Sequence, residues 1–325
     1  MHAWLCENPI GVEALAWKEL PTPEPKAGEV RIAIRAASLN FPDILIVQNK
    51  YQMKPPLPFV PGSEFAGVVE AVGDGVTHLK PGDAVAAFGG TGGFATHACL
   101  NASAVMPLPP GFDFVDAAAF VLTYGTTHHA LMDRGQLRAG ETVFVLGAAG
   151  GVGTAAIQIA KAAGAKVIAA ASTDEKCTLC REIGADATIN YTTAKVRDEL
   201  KTLTDGKGPD IVYDPVGGDL AEPVFRSIAW RGRYLVIGFA QGAIPSLPLN
   251  LPLLKGASLV GVFWGEFVRR EPKANAAMMA ELVRMYGAGQ VKPVIDQRLP
   301  MKDLLQAYAR MGSRQVRGKL VMTNP

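Results

Sequence analysis

The first chemistry legible in this sequence lies in the turn Gly147-Ala148-Ala149-Gly150-Gly151-Val152-Gly153. It follows an apolar run, Thr142 to Leu146, and opens an Ala/Ile-rich segment that continues to Lys161. A short β-rich run, then small residues, then a helical pattern predicts a buried parallel strand, a tight turn and a helix. Without bulky side chains, the turn lets a pyrophosphate approach the amides at the helix N-terminus, where unpaired N–H groups and the helix dipole favour negative charge. Ala149, Gly150, Gly151 and Val152 are the candidate contacts. The usual pattern is G-x-G-x-x-G; aligned on Gly150 and Gly153, this turn has Ala148 at the first glycine and an additional Gly147 upstream. A βα turn of this kind can be purely structural, but the second apolar run at 166–172 supplies the context of a nucleotide site.

That second run selects among cofactors. An NAD-type site ends it with Asp or Glu, whose carboxylate accepts from the adenosine ribose hydroxyls and would repel a 2′-phosphate. Here it ends Ala170-Ala171-Ser172, with Asp174 and Glu175 only later. Ser172-Thr-Asp-Glu175 also fits a capping box, in which Ser172 and Glu175 satisfy backbone donors at a helix start. The two roles are compatible, because a capped helix start still presents donors to an anion. Lys176 sits one turn into that helix and Tyr191 ends the next candidate strand, and both could reach the same phosphate. The expectation is NADPH rather than NADH.

The elements that must hold these residues follow from periodicity. From Met1 to about Leu122 short β-rich runs, punctuated by Pro and Gly clusters, predict a compact, irregular β domain. The region from Asp116 to Asp133 reads as helical. Strands and helices then alternate to about Trp264, the signature of an α/β, Rossmann-type doubly wound parallel sheet. Its expected strands are 142–147, 166–172, 187–190, 210–214, 233–238 and 257–263. A helix at 274–287, a strand near 294–298, a helix at 302–311 and a last strand at 318–322 are expected to return to the first domain. The expected domains are therefore 1–122 completed by 265–325, and 123–264. The glycine cluster Gly89-Gly-Thr-Gly-Gly93 reads as a flexible loop, or as a segment that closes over the cofactor. The apolar strand Ser258–Phe263, at the expected sheet edge, predicts pairing with a second subunit in a homodimer.

Composition sets the outer limits. The 325 residues, 49% hydrophobic and 19% charged, suit two packed domains. A formal net charge of +2, with no run of five like charges, names no nucleic acid or anionic membrane as partner. The N-terminus lacks a basic segment followed by an apolar core, and lysines interrupt the Ala-rich region at 154–171, so the reading is a cytoplasmic protein without a membrane span. Cys177 and Cys180 have no second pair and no nearby His, and read as two thiols on a helix. His128 and His129 point about 100° apart if helical, which makes a poor chelate. No metal is expected.

The sequence resembles the zinc-independent quinone oxidoreductase branch of the medium-chain dehydrogenase/reductase superfamily, the zeta-crystallin-like group. The resemblance covers nearly the whole chain. It rests on Leu39-Asn-Phe-Pro-Asp43, Pro61-Gly-Ser-Glu-Phe-Ala-Gly-Val-Val-Glu70, Gly147–Gly153, Asp214-Pro-Val-Gly-Gly218 and Gly318-Lys-Leu-Val321. It implies a GroES-like β-rich catalytic domain beside the Rossmann domain. Zinc-using relatives would place a cysteine near residue 40 and a histidine where Gly62-Ser63-Glu64 stands, and neither is present. Their second zinc would need four close cysteines near Gly89, where only Cys99 is found.

Without a Lewis acid to activate an alcohol, the natural chemistry is hydride transfer to an acceptor already electrophilic, a quinone or an α,β-unsaturated carbonyl. By resemblance, Asn40 and Asp43 lie beside the nicotinamide and substrate. Asn40 could donate to an acceptor oxygen, while Asp43 could instead brace the following segment. Of two tyrosines found in some relatives, the first position holds Leu45 and the second matches Tyr51, the candidate to hydrogen-bond or protonate a developing oxyanion, with packing as its alternative. Resemblance also places Thr127 near the nicotinamide or phosphates, Gly217 along the cofactor, and Gly238, Phe239, Ala240 and Gln241 at the sheet's ligand-binding edge. Phe263 is retained as a contact and Trp264 is read as packing. Lys319 is a further candidate contact. The competing reading is a crystallin-type structural or nucleic-acid-binding protein that binds NADPH with little turnover.

Overall fold

The computed structural model describes residues 1–325. They divide into two units, Met1–Leu122 with Ile295–Pro325, and Thr123–Val294.

The first unit opens with β1 (His2–Cys6) and β2 (Leu15–Glu19), an antiparallel pair. It continues with β3 (Glu29–Leu39), β4 (Glu64–Val72), β5 (Ala84–Phe88), β6 (His97–Asn101) and β7 (Val105–Pro107). The second unit supplies β8 (Thr142–Val145), β9 (Lys166–Ala171), β10 (Ala187–Asn190), β11 (Ile211–Asp214), β12 (Arg233–Val236) and β13 (Ser258–Gly261). The chain then returns to the first unit with β14 (Ile295–Pro300) and β15 (Lys319–Thr323).

In the first unit the strands run β14-β15-β3-β4-β5-β7, with β6 also paired to β3. Alternation along β3 buries Val30, Ile32 and Ile34 in a core shared with Phe65, Val85 and Leu320. The glycine cluster is held, not loose. Gly89 and Gly90 both donate N–H bonds to Ser63 O, Gly92 to Val60 O and Gly93 to Gly62 O. A Cβ at Gly93 would lie 2.9 Å from Gly62 O, so Gly93 is small because two backbones meet there.

The second unit is a wholly parallel six-stranded sheet in the order β10-β9-β8-β11-β12-β13, a doubly wound arrangement. Its central strands β8 and β11 are largely apolar, with Val143, Phe144, Val145, Ile211 and Val212 fully buried, as burial on both faces requires. Residues 265–294, expected to complete the first domain, belong here instead. The cause is packing: the Trp264 ring lies on Gly125, where an added Cβ would come within 2.7 Å of it, and Trp264 Nε1 donates to Asn275 Oδ1. Farther along, Lys292 exchanges two hydrogen bonds with Gln158.

The helical stretch expected over 116–133 is three pieces. Helix Phe114–Ala118 is capped by Asp113, helix Val121–His128 follows, and His129–Arg134 widens into a π turn. There His129 stacks on Phe267 with centroids 4.2 Å apart.

Strands β10 and β13 are the edges of this sheet, and the surroundings of β13 are apolar and open. Leu249, Leu253, Leu254, Leu259 and Phe263 are all exposed, Leu253 by 76%. No helix is long and apolar enough to cross a membrane.

Candidate nucleotide and active site

In the first unit the site is assembled by strand register. Strand β3 lies between β15 and β4, with Leu39 opposite Leu320 and Ser38 opposite Glu64. One step beyond the β15 ladder, Lys319 faces Asn40. Lys319 Nζ donates to Asn40 Oδ1 at 2.5 Å and to Glu64 Oε1 at 3.0 Å. Glu64 Oε1 also accepts from Ser38 Oγ at 2.5 Å and Asn40 Nδ2 at 3.0 Å, while Oε2 accepts from the Leu122 N–H at 2.8 Å. All four polar side chains are buried. A carboxylate with no exposure is tolerable here because a cation and three further donors surround it. Lys319 therefore contacts Asn40 and Glu64 from within the unit's core.

This network fixes the Asn40 amide, since its oxygen must face the ammonium and its nitrogen the carboxylate. The second N–H reaches Ser38 O at a longer 3.4 Å. That weaker bond is the one Asn40 can release to an acceptor oxygen.

Asp43, in helix Phe41–Val47, braces the segment: its Oδ2 accepts the Asn40 N–H at 2.8 Å. The other oxygen, Oδ1, has no hydrogen bond, and neither do the buried Ser63 and Tyr308 hydroxyls. Burial pushes the Asp43 carboxyl up to about 7, against the opposing pull of the Asn40 N–H, the nearby Ser63 hydroxyl and Lys319. The Ser63 hydroxyl lies near the Asp43 carboxyl but outside hydrogen-bonding geometry. Tyr51 is half-buried against the core, and its phenol is raised by burial and by Asp43. That makes it a hydrogen-bond donor more than a proton source at neutral pH.

In the second unit the glycine turn behaves as its composition demands. Gly147 adopts φ +57°, and a Cβ at Gly153 would sit 2.4 Å from Gly147 O, so helix and strand meet backbone to backbone. Helix Gly151–Ala162 begins at Gly150 without a side-chain cap, leaving its first N–H groups available to an anion. Thr127 is fully buried beneath this turn; its hydroxyl pairs with Tyr213 OH at 2.9 Å and with Val152 O at 3.3 Å.

At the ends of β9 and β10 the cap is Thr173, not Ser172: Thr173 Oγ1 accepts the Lys176 N–H at 3.2 Å. Ser172 is one residue too early for that bond, and its Oγ instead accepts from Lys176 Nζ at 3.4 Å. The Tyr191 N–H bonds Ala171 O, which brings Tyr191 beside the same strand end. Ser172, Lys176 and Tyr191 thus share one corner of the sheet.

Gly217 has φ +65°, and a Cβ there would meet the Phe239 ring at 2.8 Å. The segment carrying Gly238, Phe239, Ala240 and Gln241 folds back on 214–216 through N–H bonds from Ala240 to Pro215 O and Gln241 to Val216 O. Phe263 is 58% exposed. A hollow of about 670 Å³ opens beside Gly218, bounded by Asp219, Glu222, Arg226 and Ile244. Glu222 and Arg226 satisfy each other at 2.6 Å, and the remaining polar lining comes from Arg197, Asp219 and Ser246.

Sequence reasoning missed Ser38 and Glu64 as partners of Asn40. Glu64 was visible within a motif, but only the β15–β3–β4 register reveals its cation. No group of three or more His, Cys, Asp or Glu side chains that could hold a metal is formed.

A six-stranded nucleotide sheet with this glycine turn, in one chain with a GroES-like unit, defines an oxidoreductase of the medium-chain dehydrogenase/reductase class. Residues 26–110 match the alcohol dehydrogenase GroES-like domain family and residues 151–283 the zinc-binding dehydrogenase family. The chain belongs to the quinone oxidoreductase branch of that superfamily. It is 37% identical to a Nematostella vectensis quinone oxidoreductase-like protein 2 homolog over 99% of this chain and 88% of that one. A Pseudomonas aeruginosa quinone oxidoreductase is 37% identical over 96% of each. The Escherichia coli quinone oxidoreductase, solved in complex with NADPH, superposes with a TM-score of 0.91 at 29% identity over 99% of both chains.

Proposed function

We propose that this protein is an NADPH-dependent reductase that delivers hydride to quinones or α,β-unsaturated carbonyls without zinc. The observation that carries the reading is the corner formed by Ser172, Lys176 and Tyr191. Ser172 and Lys176, with Tyr191 at the end of the adjoining strand, supply hydroxyl and ammonium types in place of the carboxylate of an NAD-type site, a donor set suited to a 2′-phosphate. Bound NADPH would supply the hydride, and the uncapped start of helix Gly151–Ala162 would receive its pyrophosphate. Gly217 and the Gly238–Gln241 segment provide a surface for the nicotinamide end. On the acceptor side, Asn40 holds its amide ready through Lys319 and Glu64, and releases the Ser38 bond to a developing oxyanion. Tyr51 adds a second donor. Preorganised donors of this kind cost no reorganisation when charge develops. The absence of Cys or His at positions 40 and 63 supports a zinc-free site. We also propose that β13, with its exposed Leu259 and with Leu253 in the preceding helix, pairs with a second copy.

The test is NADPH oxidation, followed optically against a panel of quinones and enones, with NADH and a chelator in parallel. Chelator-resistant turnover preferring NADPH is the expected result. Cofactor binding with no turnover on any acceptor would favour the crystallin-type binding protein, and chelator-sensitive turnover would refute the zinc-free site.

A further inference from the structure

Two carboxylates of the wrong sign, Asp174 and Glu175, follow Ser172 in the first turn of the next helix, and Asp174 is the nearer in sequence. Asp174 is the first residue of helix Asp174–Glu182, two residues after Ser172. A carboxylate swinging freely there would oppose a phosphate held by Ser172, Lys176 and Tyr191. It is not needed as the helix cap, because Thr173 performs that task.

The carboxylate is tied elsewhere. Asn190 Nδ2 donates to Asp174 Oδ1 at 2.8 Å. The amide cannot turn around without loss, since Asn190 Oδ1 accepts both the Thr192 N–H at 3.1 Å and the Thr192 hydroxyl at 2.7 Å. Its NH₂ group is thereby aimed at Asp174. The β10–β9 pairing places Asn190 opposite Ala171, the last residue before Ser172. Thr192 Oγ1 lies 3.2 Å from Ser172 O, so the clamp sits beside the corner, although the single hydroxyl proton goes to the nearer Asn190 Oδ1.

We propose that Asn190 is a specificity-determining positioning residue: it draws the Asp174 carboxylate towards β10 and so keeps the 2′-phosphate corner cationic. The inference rests on the NADPH reading of the same corner. It assigns the cofactor preference to a side chain that need not touch the cofactor at all.

The test uses calorimetric titration of the full chain with adenosine 2′,5′-bisphosphate and with AMP, beside steady-state kinetics with NADPH and NADH. Asn190→Ala should weaken the bisphosphate about three- to tenfold, the scale of one partly screened contact with a phosphate of about two charges. AMP binding and kcat should stay within about twofold. Adding Asp174→Ala to Asn190→Ala should restore the bisphosphate affinity. Equal weakening of bisphosphate and AMP, or no rescue in the double variant, would overturn the role given to Asn190. A wild-type protein that binds bisphosphate and AMP alike would instead overturn the NADPH reading itself.

Discussion

Replacing Lys319 by Met separates what the buried pair does for stability from what it does for the Asn40 amide. Met has similar length and leaves no large cavity, so the change is chiefly electrostatic. The Lys319 side chain is 5% exposed and that of Glu64 0%, so water cannot replace the lost cation. Removing one partner of a buried pair costs about 3–5 kcal/mol. Ser38, Asn40 and the Leu122 N–H still donate to Glu64, which favours the lower end, about 3 kcal/mol. At about 2–4 °C per kcal/mol, the thermal midpoint should fall by about 6–12 °C. Adding Glu64→Gln removes the stranded charge and should recover most of that fall. It should not recover kcat, because the Asn40 oxygen still lacks its ammonium. Scanning calorimetry and steady-state kinetics on both variants measure the two effects separately. A midpoint shift under about 2 °C in Lys319→Met, or a double variant no more stable than the single, would refute the reasoning.

Asp43 carries a pH signature. Its carboxyl rises from 3.8 in the unfolded chain to about 7 in the fold, so the fold binds a proton that the unfolded chain has released. This contribution is complete below about 4 and is lost as pH rises through about 7; Asp43→Asn should flatten the slope over that window in denaturant titrations, and an unchanged slope would assign the titration elsewhere. For the edge of the parallel sheet, light scattering at micromolar concentration should report a dimer. Paired Leu253→Glu and Leu259→Glu changes should yield a folded monomer, whereas a wild-type monomer would end the pairing proposal.

The parallel sheet was legible because burial on both faces leaves continuous apolar runs, and small residues at 147–153 mark where its first helix begins. Expected strands overran the observed ones by one or two residues at β8, β12 and β13, where loops inherit apolar composition. The unit boundary after Trp264 was misplaced because the decisive signal is a glycine: Gly125 admits the indole, and nothing local to residues 264–294 announces it. The capping residue slipped by one because Ser172 and Thr173 are both good caps and only geometry separates them. Asn40 and Asp43 were visible as types. The directions in which they spend their hydrogen bonds were not, since these depend on partners contributed by other strands.

The distance along the chain between Asn40 and Lys319 is 279 residues. A ribosome adding about 5–20 residues each second needs roughly 15–60 s to cover it. Throughout that interval the nascent β3 and β4 carry Glu64 with its cation still unmade, while the whole parallel sheet is synthesised and free to fold. The buried pair is therefore one of the last contacts of the first unit that synthesis makes available. A nascent chain interrupted before residue 319 lacks β15 and the ammonium that neutralises Glu64, so the first unit's sheet and its buried pair are completed only after the second unit has been synthesised.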